Sequence, residues 1–230
     1  METTPYAMLG GVTKERYEKI MDVLRKRQPD LTILAENVYK PHNLSAMIRT
    51  GDAVGVGAVY ALNPTGGVPT YNETSASANK WVDMRVFSSW EEVRGTLGGV
   101  QLLAAHLSDK AVDYRQVDYT GPTCIVFGNE KEGVSARAAE EVDAHIIIPM
   151  LGMVPSLNVS VATAVILFEA QRQRLQAGLY NAPRLSSEAM NAQAFRWLYP
   201  RQAELLEARG EPFAQLNEDG TPLQDTLQSG

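Results

Sequence analysis

Apolar positions along this chain follow two alternating rhythms. Short runs rich in β-branched residues read as strands: LTILA (31–35), GAVYAL (57–62), WVDMRVF (81–87), VQLLAA (100–105), TCIVFG (123–128) and HIIIPM (145–150). Between them the spacing predicts helices near 43–54, 72–79, 89–97 and 134–141, then a long one from Ser156 to Ala177. Strands alternating with helices predict an α/β fold: a mostly parallel sheet with helices on both faces. Ahead of the first strand, residues 13–27 predict a helix with Thr13 as N-cap, an apolar face of Tyr17, Ile20, Met21 and Leu24, and Pro29 as its stop. After Gly178, LYNAPRLSS reads as a connector and residues 187–209 as one or two amphipathic helices carrying Phe195, Trp197, Leu198, Leu205 and Leu206. The tail NEDGTPLQDTLQSG is expected to be mobile. The plan is an N-terminal basic helical extension (1–29), a core domain (30–178) and a C-terminal helical extension with a tail (179–230).

At 230 residues the chain can build one such core. No run has the apolar length to span a bilayer, and the N-terminus lacks the basic start and apolar centre of a signal peptide. The single cysteine, Cys124, lies inside TCIVF and reads as a buried thiol rather than a nucleophile. A cytoplasmic, non-membrane protein is expected. The net charge of −6 speaks against a nucleic-acid partner, but its distribution changes that picture. Residues 14–27 carry six bases against three acids, including Lys14, Arg16, Arg25, Lys26 and Arg27. Residues 168–209 carry six arginines, among them Arg172 and Arg174, against four acids. Charge runs of this kind are usually solvated helix faces, so composition leaves RNA binding at even odds.

Three blocks could carry chemistry. In KPHNLSAMIRTGDAVGV (40–56), Asn43 is placed to cap a helix and Arg49 follows six residues later. Arg49 reads either as a solvent-facing cation or, among Ala46, Met47, Ile48 and Ala53, as a lone guanidinium seeking an anion. In CIVFGNEKEGVS (124–135), a strand ends at Gly128 before Asn129 and Glu130. Carboxyl ends of parallel strands are where such folds bind ligands, and Gly128 would let the backbone approach one; a simple glycine turn explains the block equally well. In IIIPMLGMVPSLNVSVA (146–162), Ser156 begins a long, nearly uncharged helix with Asn158 in its first turn. The loop before it mixes apolar side chains with free backbone groups, a setting for an adenine ring and a thioether-like arm. Neither a dinucleotide fingerprint nor a phosphate loop is present, and the spacing of His42, His106 and His145 gives no metal site.

In order and wording, N-x-x-x-x-x-R (43–49), F-G-N-E (127–130) and I-P-M…S-L-N-V-S-V-A (148–162) resemble the three motifs of the SpoU/TrmH family of SPOUT RNA methyltransferases. The likeness covers roughly residues 5–180. It implies a C-terminal deep trefoil knot, a homodimer, and S-adenosylmethionine held in the knot, with no metal required. By motif it assigns Arg49 the central catalytic role, with Asn43, Glu130, Ser156 and Asn158 around the reacting site. Cofactor contacts would come from Ala105, Gly128, Ile148, Met150, Gly152 and Leu157. The wording sits nearest the members that methylate the ribose of guanosine 18 in the tRNA D-loop. The basic ends, through Lys14, Arg16, Arg25, Lys26, Arg27, Arg172 and Arg174, would then hold the tRNA. Ribosomal RNA 2′-O-methylation and a non-catalytic RNA-binding member remain as alternatives.

Overall fold

A computed structural model describes residues 12–63, 80–129 and 131–223. The helix expected at 72–79 and the site residue Glu130 lie outside them. The chain divides into two compact units, Gln28–Asn181 and a second one made by both chain ends, Met1–Arg27 with Ala182–Gly230.

In the larger unit the strands are β1 (Gln28–Glu36), β2 (Val56–Leu62), β3 (Asp83–Phe87), β4 (Gln101–Ala105), β5 (Val112–Asp113), β6 (Thr123–Phe127) and β7 (Ala144–Ile147). They form one all-parallel sheet in the order β3-β2-β1-β6-β4-β7-β5. The helices are α2 (Pro41–Val54), α3 (Trp90–Thr96), α4 (Ala136–Glu141) and α5 (Val159–Gln176). Alternate residues of β1 face opposite sides, so Leu31, Ile33 and Ala35 pack with α2 and α5, while Leu34 packs with Trp90 and Val93 of α3 and Ala138 of α4. Burial on both faces is why these strands read as unbroken apolar runs. β7 lies between β4 and β5, which are consecutive in sequence, so the chain returns after β6 to pass between them. The expected knot depends on that crossing.

The helix starts differ from expectation. α2 begins at Pro41 with Lys40 as its N-cap, so Asn43 is no cap; it sits in the first turn, 2% exposed. Pro41 supplies the preset φ for the first helical position, two residues earlier than Asn43 would. α5 is capped by Asn158, whose Oδ1 accepts from Ser160 N at 2.9 Å, and not by Ser156. The asparagine side chain reaches the second helical amide, leaving Ser156 in the loop.

Arg174, expected to bind RNA, is fully buried near the end of α5. Its Nε donates to Tyr119 O at 2.8 Å, Nη1 to Asp30 Oδ1 at 2.7 Å and Gln28 Oε1 at 3.2 Å, and Nη2 to Gly121 O at 2.7 Å and Asp30 O at 3.4 Å. All five guanidinium donors are therefore engaged, and none is left for a phosphate. Beside it, Gln173 accepts from Tyr119 N at 3.0 Å and donates to Val117 O at 3.0 Å. The pair clamps the segment before β6 and the start of β1 to α5.

In the terminal unit, α1 (Lys14–Arg25) packs against α6 (Ser187–Leu198), which is followed by α7 (Pro200–Arg209). Ile20 and Leu24 are buried on α1, as are Phe195, Trp197 and Leu198 on α6. Arg27, also expected to bind RNA, is 5% exposed and lies over the Trp197 ring at 5.7 Å. Its charge is taken up by the aromatic face rather than offered to a ligand. The beginning of the tail is folded. Tyr199 Oη donates to Gly220 O at 2.9 Å, Leu216 bridges Pro222, and Gly220 at φ 84° abuts the Tyr17 ring so closely that a Cβ would clash.

Removing a buried, fully engaged guanidinium takes its donors from the Asp30 carboxylate, the Gln28 amide oxygen and three backbone carbonyls, those of Asp30, Tyr119 and Gly121. Arg174→Ala should therefore lower the unfolding free energy by about 3–5 kcal/mol in urea denaturation, and a loss below about 1 kcal/mol would contradict this clamp.

Candidate active site

Because the strands are parallel, the loops after β1, β4, β6 and β7 emerge at one edge of the sheet. A cleft of about 610 Å³ opens there between the loops after β4, β6 and β7 and the first turns of α5. Its floor is apolar, with Phe127, Ile146, Val159 and Ile166; His106, Asn129, Lys131 and Glu132 add polar groups. Of the expected cofactor residues, Ala105, Gly128, Ile148, Met150 and Leu157 line it, as does Ser156. Gly152 does not: it lies in the exposed part of the loop, between the solvent-exposed side chains of Leu151 and Met153. The glycine turns the chain outward there instead of bringing backbone to a ligand.

The cleft wall after β6 is a tight turn. Asn129 N donates to Gly133 O at 3.1 Å and Gly133 N to Asn129 O at 3.0 Å. Asn129 Oδ1 accepts from Lys131 N and Glu132 N, both at 2.8 Å. A Cβ on Gly128 would sit 2.0 Å from the carbonyl of Gly133, which itself takes φ 70°. The chain's approach to itself therefore already requires glycine at 128, whose backbone also lines the cleft. Glu130 falls within this turn in sequence.

The first and third blocks meet through two asparagines. Asn158 Nδ2 donates to Asn43 Oδ1 at 3.2 Å, which ties the first turn of α2 to the cap of α5. Arg49 lies on the exposed side of α2, opposite Leu44, Met47, Ile48 and Gly51, so it is not packed among apolar neighbours. Among the described residues no carboxylate pairs with it. Its charge is available to an anion. Arg49, Asn43 and Asn158 stand outside the cleft lining itself, with Ser156 and Leu157 joining the two places along the chain.

The sequence did not single out Lys131, and it marked His106 only within a run that reads as a ligand contact or a surface loop. The signal for His106 was its place directly after β4 in HLSDKAVDY, a stretch that also holds the two-residue strand β5. His145 Nε2 lies 2.9 Å from Ala139 O, which makes that nitrogen the donor. Its Nδ1 lies 2.7 Å from Ser108 Oγ, and its ring meets His106 edge-on at 5.1 Å. Burial, reinforced by His145, holds the His106 imidazole below its ordinary pKa. Burial pushes the Cys124 thiol up to about 12, so it is inert at neutral pH.

Of the expected RNA contacts, Arg16 and Lys26 are exposed, and Lys14 and Arg25 are exposed with partners Glu18 (3.8 Å) and Asp22 (2.7 Å). Arg172 is exposed and held by Glu169 at 2.7 Å. Such surface pairs are weak enough to exchange for phosphate. Among the described residues no group of three or more His, Cys, Asp and Glu side chains is placed to hold a metal ion.

An S-adenosyl cofactor fits this cleft. The floor suits an adenine ring, and the backbone N–H groups of Met150 and Leu157 find no acceptor among the described residues. Comparison with known proteins agrees. Residues 30–168 match the SpoU rRNA Methylase family and residues 172–225 the family's C-terminal region, "SpoU, rRNA methylase, C-terminal". The second match extends the likeness beyond residue 180, where the sequence alone left it weak. The chain is 57% identical over 188 residues to the tRNA (guanosine(18)-2′-O)-methyltransferase of Thermus thermophilus, covering 81% of this chain and 97% of that protein. The crystal structure of the A. aeolicus TrmH/SpoU tRNA modifying enzyme superposes with TM-score 0.76 at 43% identity, over 81% of this chain and 96% of that one. An AdoMet-bound rRNA methyltransferase from Sinorhizobium meliloti matches at TM-score 0.57 and 30% identity, over 66% of this chain and 59% of that one. The parallel sheet, the cleft at its carboxyl edge and the three motifs around it are those of the SpoU methylases, and this chain belongs to that family.

Proposed function

We propose that this protein transfers a methyl group from S-adenosylmethionine to the ribose 2′-hydroxyl of guanosine 18 in the tRNA D-loop. The observation that carries this reading is the Asn158–Asn43 hydrogen bond, which joins two distant motifs beside a cleft suited to the cofactor. The Thermus relative, matched over 97% of its length, supports the tRNA ribose as target, and the AdoMet-bound rRNA enzyme supports the cofactor.

When bound, the cofactor supplies an electrophilic methyl group on a sulfonium. The protein's part is alignment and charge. The loops from Ile148 to Leu157 and from Gly128 to Gly133 hold the donor, and Asn43 and Asn158 fix α2 against α5 so that Arg49 has one position. The ribose hydroxyl becomes a better nucleophile as its proton leaves. A guanidinium stays protonated, so Arg49 serves by pairing with an RNA phosphate and stabilising the developing alkoxide. Ser156 completes the surroundings of the reacting oxygen, a role that the motif resemblance also gives Glu130. The exposed bases Lys14, Arg16, Arg25, Lys26 and Arg172 hold the tRNA body.

A homodimer belongs to the same reading. Val161, Phe168 and Leu175 recur every seven residues on α5 and are 48%, 50% and 54% exposed. Leu151 and Met153 project fully into solvent from the loop before them. A second copy of this chain would cover that apolar face.

Incubation with labelled S-adenosylmethionine and unmodified tRNA should place the label at a ribose resistant to alkaline cleavage, at guanosine 18. Arg49→Ala should lower turnover at least ~10²-fold while binding S-adenosylhomocysteine as the parent does. Label confined to ribosomal RNA would select the rRNA reading, and surviving turnover would remove Arg49 from its role. In sedimentation velocity the parent should run as a dimer and Phe168→Glu as a folded monomer; a monomeric parent would contradict the pairing.

A further inference from the structure

Glu36 ends β1, the central strand, and is 2% exposed. A buried carboxylate is costly unless its oxygens meet donors, and here they do. Oε1 accepts from Ser135 Oγ at 2.7 Å and from the Trp90 indole Nε1 at 3.1 Å, and Oε2 accepts from Ser135 N at 2.8 Å. Ser135 is the N-cap of α4, its Oγ accepting from Ala138 N at 3.1 Å, and Trp90 is the first residue of α3. One carboxylate therefore ties the carboxyl end of the central strand to the starts of two helices. Nothing in the methyl-transfer chemistry above uses it.

Its position relative to the cleft gives it a role. The cleft wall after β6 ends at Gly133, is closed upon itself by the reciprocal Asn129–Gly133 bonds, and leads through the buried Val134 to the start of α4. Ser135 is the next residue. With Gly128 continuing β6 and Ser135 held by both oxygens of Glu36, the turn is fixed at each end. An apolar residue at position 36 could fill the space, but it could not orient Ser135 through two adjacent donors. Glutamine could not either: its amide nitrogen would face either Ser135 N or the Trp90 indole N–H, neither of which can accept.

We infer that Glu36 is a positioning residue for cofactor binding: through Ser135 it sets where the 128–133 wall stands. This rests on the cofactor reading given above. Calorimetric titration of S-adenosylhomocysteine into the full chain tests it. Glu36→Gln should raise Kd about tenfold and Ser135→Ala about threefold, while Ser135→Thr, which keeps the hydroxyl, should return the parent value. In turnover, the KM for S-adenosylmethionine should rise by a larger factor than kcat falls. A folded Glu36→Gln protein with the parent Kd would overturn the inference. If Glu36→Gln fails to fold by circular dichroism, the serine pair decides: Ser135→Ala binding as tightly as the parent overturns it. A parent chain that does not bind S-adenosylhomocysteine at all would instead overturn the cofactor reading beneath it, a result distinct from equal binding by parent and variant.

Discussion

The guanidinium of Arg174 sits where water cannot reach it, and its five donors hold three stretches of chain that are far apart in sequence: Gln28–Asp30, Tyr119–Gly121 and α5 itself. A charge in that position is tolerated only with every partner in place, which makes the arrangement all-or-none. The far end of α5 is fixed by this clamp. Its near end is fixed by Asn158, which caps the helix with one side-chain atom and reaches Asn43 with another. A helix held at both ends becomes a rigid strut, and both the cleft and the start of α2 take their positions from it.

The sheet supplies the second constraint. With every strand parallel, four loops must emerge at one edge, and the insertion of β7 between β4 and β5 brings the loop before α5 into their midst. The cleft is the space those loops enclose. Its stiffness comes from polar contacts made by the chain with itself: the Asn129–Gly133 clasp, the Asn129 side chain on two amides, and Glu36 on Ser135. Charge is distributed to match. The net −6 of the chain would repel RNA, yet α1 exposes four bases against three acids, and Arg49 is exposed on α2.

Of the seven strands among the described residues, β1, β2 and β6 were legible because burial on both faces leaves an apolar run, β4 and β7 by shorter runs and the exposed edge strand β3 by its apolar flanks, while β5 is two residues long and leaves no pattern. Helices were legible in extent, and α1 also in its Thr13 cap, but α2 and α5 were not legible in their first residue. Asn43 and Ser156 have the chemistry of caps, and only the backbone path decides that Lys40 and Asn158 occupy those positions. The basic segments were visible as counts of charge, but a count has no direction. Arg27 and Arg174 turn inward, one onto Trp197 and the other onto Asp30, and their neighbours Lys26 and Arg172 turn outward. Site residues carried by the family motifs were named from sequence. The groups that hold them, Glu36 above all, were not, because a carboxylate at a strand end has no signature until its donors are in place.

The cleft at the carboxyl edge is the proposed seat of the cofactor. A crystal structure of the chain with S-adenosylhomocysteine tests that most directly. The adenosine should lie between the loops after β4, β6 and β7, over Phe127 and Ile146, with the backbone amides of Met150 and Leu157 as its donors. Density for the ligand anywhere outside those loops would contradict the site and the roles assigned to its residues.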